Sequence, residues 1–247
     1  MKITAIVQAR MGSTRLPGKV LMDLGGETML ARVLRRLERA SRIDAMVVAT
    51  TDTASDDEIG TECARLRVPC FHGSQHNVLD RYLRAAEQSR CDLIVRVTAD
   101  CPLLDPEVVD EVVAACITKR VDLSCNDVPH TFPRGLDAEA FTIQTLRRVQ
   151  DMAHQLYQRE HVTALVYERP DIFRAYTVKG DRDMSHLRWT VDTPEDLTLV
   201  RAIYAHFENR DDFGWREALA LVDSNPELAE INAHVAQKPV NETANVS

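Results

Sequence analysis

Residues 9–19 read ARMGSTRLPGK and set three cations, Arg10, Arg15 and Lys19, among two glycines, a proline and two hydroxyl side chains. Such a loop suits phosphate. Arg15 can grip phosphate oxygens through two parallel hydrogen bonds, and Lys19 adds a compact point charge. Gly12 lets the backbone approach a ligand, Ser13 and Thr14 offer hydroxyls and amides, and Pro17 stiffens the turn. The two common phosphate loops do not match. G-x-x-x-x-G-K-[ST] has four residues between its glycines, whereas five separate Gly12 from Gly18, and Lys19 is followed by Val20. The dinucleotide pattern G-x-G-x-x-G is absent too. The plain alternative is a solvated turn with scattered cations.

Asp100 and Asp192 each follow a strand-like run, RVT and RWTV. If both runs are neighbours in one sheet, the carboxylates meet at one edge, and two carboxylates beside a polyphosphate suit Mg²⁺. Read singly, Asp100 begins a turn before Pro102 and Asp192 precedes a helix. Asp80 and Arg81 in NVLDRY form an internal helix ion pair or line a nucleotide site. Asp137 and Glu139 in RGLDAEAF could accept hydrogen bonds from sugar hydroxyls, or simply belong to a hairpin. His154 and His161 are seven apart, on one predicted helix face, whereas a metal pair calls for i,i+4 spacing. They are read as surface or substrate-facing residues, and Trp189 as core.

The elements that must position these groups follow from periodicity. Strands are predicted at 3–7, 45–50, 69–73 and 92–98, and helices at 28–40, 57–66, 78–88 and 106–117, with Ser55 and Glu58 as a capping box before the second helix. This βα alternation predicts an α/β fold, a mostly parallel sheet with helices on both faces. Ligands in such folds sit beyond the carboxyl ends of the strands, where the 9–19 loop and Asp100 both fall. Between 121 and 180 the alternation loosens, and DLSCN, EAFTI and FRAYTV suggest a small antiparallel insert for substrate selection or dimerisation. A strand at 187–191 then leads into a helix at 193–207, with Thr193 as cap and Pro194 at its first position. One domain over 1–225 is expected, with a C-terminal helix and frayed tail over 226–247.

The 247-residue chain is 45% hydrophobic and 28% charged, with a net charge of −8, which argues against nucleic-acid or anionic-membrane partners. No apolar run approaches the roughly 18 residues of a membrane span, and residues 1–7 lack signal-peptide features. The six cysteines include no CxxC pair and read as free thiols of a reducing, cytoplasmic compartment.

IVQARMGSTRLPGKVL, VVATTD, NVLDRY, RVTADCPLLDP, GLDAEAF, REHVT and RWTVDTPEDL together resemble the spore-coat polysaccharide biosynthesis cytidylyltransferases, relatives of CMP-KDO and CMP-sialic acid synthetases. The resemblance covers about residues 1–205. It implies a Rossmann-like fold of the nucleotide-diphospho-sugar transferase type. It also implies CMP transfer from CTP to an acidic sugar with Mg²⁺, and a possible homodimer. Carried over by motif, Arg10, Arg15 and Lys19 are catalytic. Ala9, Arg10, Gly12, Ser13, Arg15, Lys19, Asp80 and Thr98 bind nucleotide, Asp137 and Glu139 bind acceptor, and Asp100 and Asp192 hold the metal. Residues 98–102 read TADCP where CMP-KDO synthetases carry QGDEP, which implies an acceptor other than KDO. A metal-dependent glycosyltransferase would call for a DxD pair, and ADC has one aspartate. A non-catalytic nucleotide-binding protein is the remaining alternative.

Overall fold

Alternating apolar residues build the centre of the sheet. In β1 (Ile3–Gln8) Ala5 and Val7 point to one hydrophobic cluster and Ile6 to another, as period-two strands covered on both faces require. The computed structural model describes residues 1–237. β2 (Ala45–Thr51), β3 (Cys70–Gly73) and β4 (Leu93–Thr98) pair in parallel with β1 or with each other. The full sheet has seven strands in the order β3-β2-β1-β4-β6-β5-β7, with β5 at Leu123–Cys125, β6 at Glu139–Thr142 and β7 at Ala175–Thr177.

Helices α1 (Met29–Leu37), α2 (Asp57–Leu66) and α4 (Pro106–Lys119) cover one face. α3 (Val78–Ser89), α5 (Ile143–Met152) and the short α6 (Leu156–Glu160) and α7 (Ala164–Glu168) accompany the other. A further cluster packs α8 (Pro194–His206) and α9 (Trp215–Ser224) around Trp189, with α10 (Pro226–Glu230) behind them. Trp189 is core, as expected. Burying a large apolar side chain contributes about 1.5–3 kcal/mol, so these clusters hold the strand ends rigidly.

The expected antiparallel part is present: β5, β6 and β7 extend the main sheet, and β6 runs antiparallel to both its neighbours. Three sequence expectations are corrected. Residues 187–191 are not a sheet strand. Their amides turn instead to single carbonyls, Trp189 and Thr190 donating to Arg134 O and Val191 to Asp100 O. Ser55 does not cap α2, since a 3-10 turn over Ala54–Asp56 precedes the helix and Asp56 takes the N-cap position. His154 and His161 do not share a helix; His154 lies before α6 and His161 ends it. The α8 start is as expected, with Pro194 at the first turn and Thr193 and Asp196 in a reciprocal cap. In the region expected to hold a C-terminal helix and tail, α10 spans Pro226–Glu230, and residues 238–247 lie outside the described residues.

Candidate active site

β1 and β4 are parallel neighbours in register, Gln8 opposite Thr98. The chain leaves β1 toward β2 on one side, and β4 continues the sheet on the other, so a crevice opens where the connections diverge. The 9–19 loop leaves β1 there and Asp100 leaves β4. Ala9 is buried and still bonds the sheet through Ala49 O. Two amides then fold the loop back, Ser13 N and Gly18 N both donating to Met11 O at 2.8 and 2.9 Å. Gly18 has φ 72, a left-handed conformation that glycine adopts without a Cβ penalty. Gly12 differs: a Cβ there would meet nothing within 4 Å, so the protein's own packing does not require glycine. Beneath the loop Asp56 accepts from Met11 N at 2.8 Å and from Thr50 and Thr51. Burial opposes its charge, and these hydrogen bonds outweigh burial to hold its carboxyl below the usual range.

The loop ends in a 3-10 turn that buries Lys19. Its ammonium donates to Asp100 Oδ2 at 2.7 Å, Asp192 Oδ1 at 2.7 Å and Val191 O at 2.8 Å. All three of its N–H bonds are therefore satisfied. Burial would lower the Lys19 pKa, but the Asp100 and Asp192 charges and hydrogen bonds raise it overall. Asp192 Oδ2 receives two guanidinium groups, Arg15 at 2.8 Å and Arg188 at 2.5 Å. Burial pushes the Asp192 carboxyl up, and Lys19, Arg15 and Arg188 more than reverse that, leaving it below the usual carboxylate range.

Arg15, Lys19, Asp100 and Asp192 thus converge. Arg10 is exposed on the same loop, and its charge is felt by the buried Arg81 of α3. Ser13 Oγ accepts weakly from Leu16 N at 3.4 Å, and Thr98 Oγ1 lies 3.3 Å from Cys101 Sγ. Asp80 is engaged by Arg84, one turn along α3, at 2.9 Å, rather than by Arg81. Gln8 Oε1, at the end of β1, is buried with no hydrogen-bond partner among the described residues.

Asp137 and Glu139 part company. Glu139 is buried and accepts three hydrogen bonds, its Oε2 receiving Arg96 at 2.6 Å and its Oε1 Thr163 at 2.8 Å and Tyr167 at 3.1 Å. The REHVT stretch meets GLDAEAF through this Thr163 contact. Asp137 is one-third exposed, and its Oδ1 lies 3.3 Å from His130 Nε2 without hydrogen-bond geometry. Asp127 sits with them, its carboxyl pushed up to about 7, first by burial and then by the Glu139 and Asp137 charges.

Sequence reading missed Asp56, Arg188 and Asp127. Asp56 lies in an acid-rich run that reads as solvated surface, and Arg188 was hidden inside an apparent strand. The only local signal for Arg188 is the i,i+4 spacing to Asp192. Asp127 carries no signal of its own, because its environment is assembled from β6 and the preceding loop.

Among the described residues no group of three or more His, Cys, Asp or Glu side chains is disposed to hold a metal ion. Two carboxylates offering hard oxygen donors fit Mg²⁺, which completes its shell from phosphate and water, and do not fit a closed zinc site.

A sheet of this topology with a cationic loop and paired carboxylates at its crevice defines a nucleotidyltransferase of the Rossmann-like type. Comparison with known proteins narrows the class. A cytidylyltransferase family model matches residues 4–224. The spore coat polysaccharide biosynthesis protein SpsF of Bacillus subtilis is 32% identical over 240 residues, 92% of this chain and 96% of that protein. The solved cytidylyltransferase of Leptospira borgpetersenii superposes with a TM-score of 0.89 at 34% identity, covering 93% of this chain and 97% of that one. A 3-deoxy-manno-octulosonate cytidylyltransferase of Geobacter metallireducens matches 47% of this chain and 45% of its own length at 37% identity. The chain belongs to the cytidylyltransferase family.

Proposed function

We propose that the protein transfers CMP from CTP to an acidic sugar-type acceptor, releasing pyrophosphate, in the synthesis of a surface polysaccharide or glycoconjugate. The observation that carries this reading is the Lys19 ammonium held between Asp100 and Asp192 with Arg15 beside it. The sugar acid named for the Geobacter relative and the polysaccharide role named for SpsF support the acceptor class.

The acceptor hydroxyl oxygen forms a bond to the α-phosphorus, the bond from that phosphorus to the bridging oxygen breaks, and pyrophosphate leaves with the electron pair. The hydroxyl proton passes to solvent or to pyrophosphate. Arg15 and Lys19 bind the β- and γ-phosphates, and Arg10 lies toward the α-phosphate. Positioning and charge neutralisation supply the rate enhancement. The charge balance of the ion cluster supports a metal. Arg15, Lys19 and Arg188 are already balanced by Asp100, Asp192 and Asp196. A polyphosphate therefore arrives with no surplus positive charge beyond Arg10. Mg²⁺ on Asp100 and Asp192 would supply that charge and stabilise the departing pyrophosphate.

The reaction fits a cytoplasmic enzyme, and no helix among the described residues is long and apolar enough to cross a membrane. A homodimer through residues 121–180 is supported by four exposed apolar side chains there, Val128, Leu156, Tyr157 and Tyr176. Sedimentation at working concentration tests it, and a monomer would rule it out.

Pyrophosphate release with Mg²⁺, each of the four nucleoside triphosphates and a panel of acidic sugars tests the main reading. Release with CTP and one acceptor is expected. No CTP binding and no release across the panel would overturn it.

A further inference from the structure

Asp192 shares one carboxylate oxygen between two arginines of different character. Arg15 comes from the surface loop with a side chain 27% exposed, whereas the Arg188 side chain is 5% exposed. Arg188 is also tied elsewhere. Its Nε donates to Asp196 Oδ1 at 3.0 Å, and Asp196 is itself fully buried. Asp196 Oδ2 in turn accepts from Asp192 N at 2.9 Å and Thr193 N at 3.0 Å, fixing the backbone that carries Asp192. Asn232 donates to Arg188 O and to Asp196 Oδ1, both at 2.8 Å, and Gln237 accepts from Arg188 Nη1. The backbone and the carboxylate of Asp192 are thus held from one side by a buried network, and from the other by the two cations of the nucleotide loop.

We infer that Arg188 is a positioning residue for the reaction. Anchored on Asp196 and braced by Asn232 and Gln237, it keeps the Asp192 carboxylate in place when Arg15 and Lys19 turn to the triphosphate. The inference rests on the reading of Asp100 and Asp192 as metal ligands. Arg15 and Lys19 cannot serve phosphate and Asp192 with the same N–H bonds. Arg188 is the cation that has no reason to leave, because Asp196 lies behind it and its guanidinium can serve both carboxylates at once. Without it, Asp192 would meet the metal with an unheld side chain. Outer-shell partners of this kind typically change metal affinity 10–100-fold.

The test uses the full chain and CTP as probe, by calorimetry with Mg²⁺ and again in EDTA, alongside the melting temperature. Two variants are needed. Arg188→Lys keeps the charge and loses the fork. Arg188→Met with Asp196→Asn removes the buried ion pair as a unit, so that no uncompensated charge is left to unfold the protein. Both are expected to bind CTP in EDTA as the parent does, while the affinity gained on adding Mg²⁺ falls about 10-fold or more. Arg188→Lys should be the milder of the two. A parental Mg²⁺ gain in both variants would overturn the role of Arg188 alone. Equal weakening with and without Mg²⁺ would also overturn it, since that is the mark of general damage. A parent protein with no Mg²⁺ gain would instead bring down the metal assignment, and this inference with it.

Discussion

Lys19 and Asp192 stand 173 positions apart and meet at 2.7 Å, through a lysine ammonium that also bonds Asp100 at 2.7 Å. One buried cation therefore joins the first loop of the chain to the segment after β4 and to the start of α8. The same group that is proposed to receive triphosphate holds two carboxylates together in its absence.

Lys19→Met tests both halves of that relationship. Removing the ammonium leaves Asp100 and Asp192 facing each other without it, and breaking such a buried pair costs about 3 kcal/mol or more. Turnover should fall by about 10²-fold or more, the loss seen when a transition-state charge partner is removed. The pH dependence has a definite sign. The lowered Asp192 carboxyl contributes stability above its ordinary value of 3.8, and that stability disappears as pH falls through the folded value. The melting-temperature gap between variant and parent should therefore narrow in acid. Added Mg²⁺ should narrow it at neutral pH, by taking the place of the lost charge. A gap indifferent to both would show that the two carboxylates do not share the cation.

Asp127 carries the opposite sign. Burial, then Glu139 and Asp137, push its carboxyl up to about 7, while His130 and Arg96 pull the other way. Between its ordinary 3.8 and about 7 the unfolded chain releases this proton and the folded chain keeps it. Stability from this group therefore falls as pH rises across that window and is level above it. Asp127→Asn should flatten that decline and raise the melting temperature more at pH 8 than at pH 5. An unchanged slope in thermal melts would assign the proton elsewhere.

How much of this was legible in the sequence depended on whether a residue's partners were local. β1, β2 and β4 announce themselves because strands covered on both faces leave apolar runs such as AIV, AMVVA and LIV. The loop cations and Asp100 follow β1 and β4, whose ends a parallel sheet delivers to one edge, whereas Asp192 reaches that edge on a segment that is not a strand, through Val191 N donating to Asp100 O. Residues 187–191 misled because RWTV has strand composition, yet its hydrogen-bond partners are the Arg134 and Asp100 carbonyls, distant in sequence. Arg32 and Arg36 of α1 are buried, against every expectation for charged helix positions, because backbone carbonyls of Leu24, Leu104 and Phe213 accept from them. Asp80 pairs with Arg84 in its own helix, a partner that the i,i+4 spacing alone makes legible.

Gly135 places a backbone requirement behind Asp192. It has φ 104, and a Cβ there would lie 2.5 Å from Thr190 N. Arg134 O, one residue earlier, accepts from Trp189 N and Thr190 N. Gly135→Ala must therefore push away the very segment that carries Arg188 and Asp192. Backbone strain of this kind costs about 1–3 kcal/mol, and the displacement should also lower Mg²⁺-dependent turnover. Ala substituted at Gly12, where a Cβ meets no protein atom, should leave the melting temperature unchanged and weaken CTP binding instead. Comparing the two variants by melting and by calorimetry separates a glycine needed by the fold from one needed by the ligand.

Asp137 and Glu139, two residues apart, should fail in different ways. Glu139 holds Arg96 at 2.6 Å in a buried setting and accepts from Thr163 and Tyr167, so three protein donors already occupy it. Glu139→Gln leaves the Arg96 guanidinium without its counter-charge, and a loss of about 3 kcal/mol is expected. Asp137 is partly exposed, and its Oδ1 lacks a hydrogen-bond partner among the described residues. Oδ1 is itself buried, so the exposed part of the carboxylate, at Oδ2, is the one to meet an acceptor hydroxyl. Asp137→Asn should leave folding and the KM for CTP unchanged, and raise the KM for the acceptor about 10-fold, the worth of one hydrogen bond to a charged group. Steady-state kinetics with each substrate varied in turn, beside thermal melts, checks both. If Glu139→Gln melts like the parent and raises only the acceptor KM, Glu139 and not Asp137 is the carboxylate that meets the acceptor.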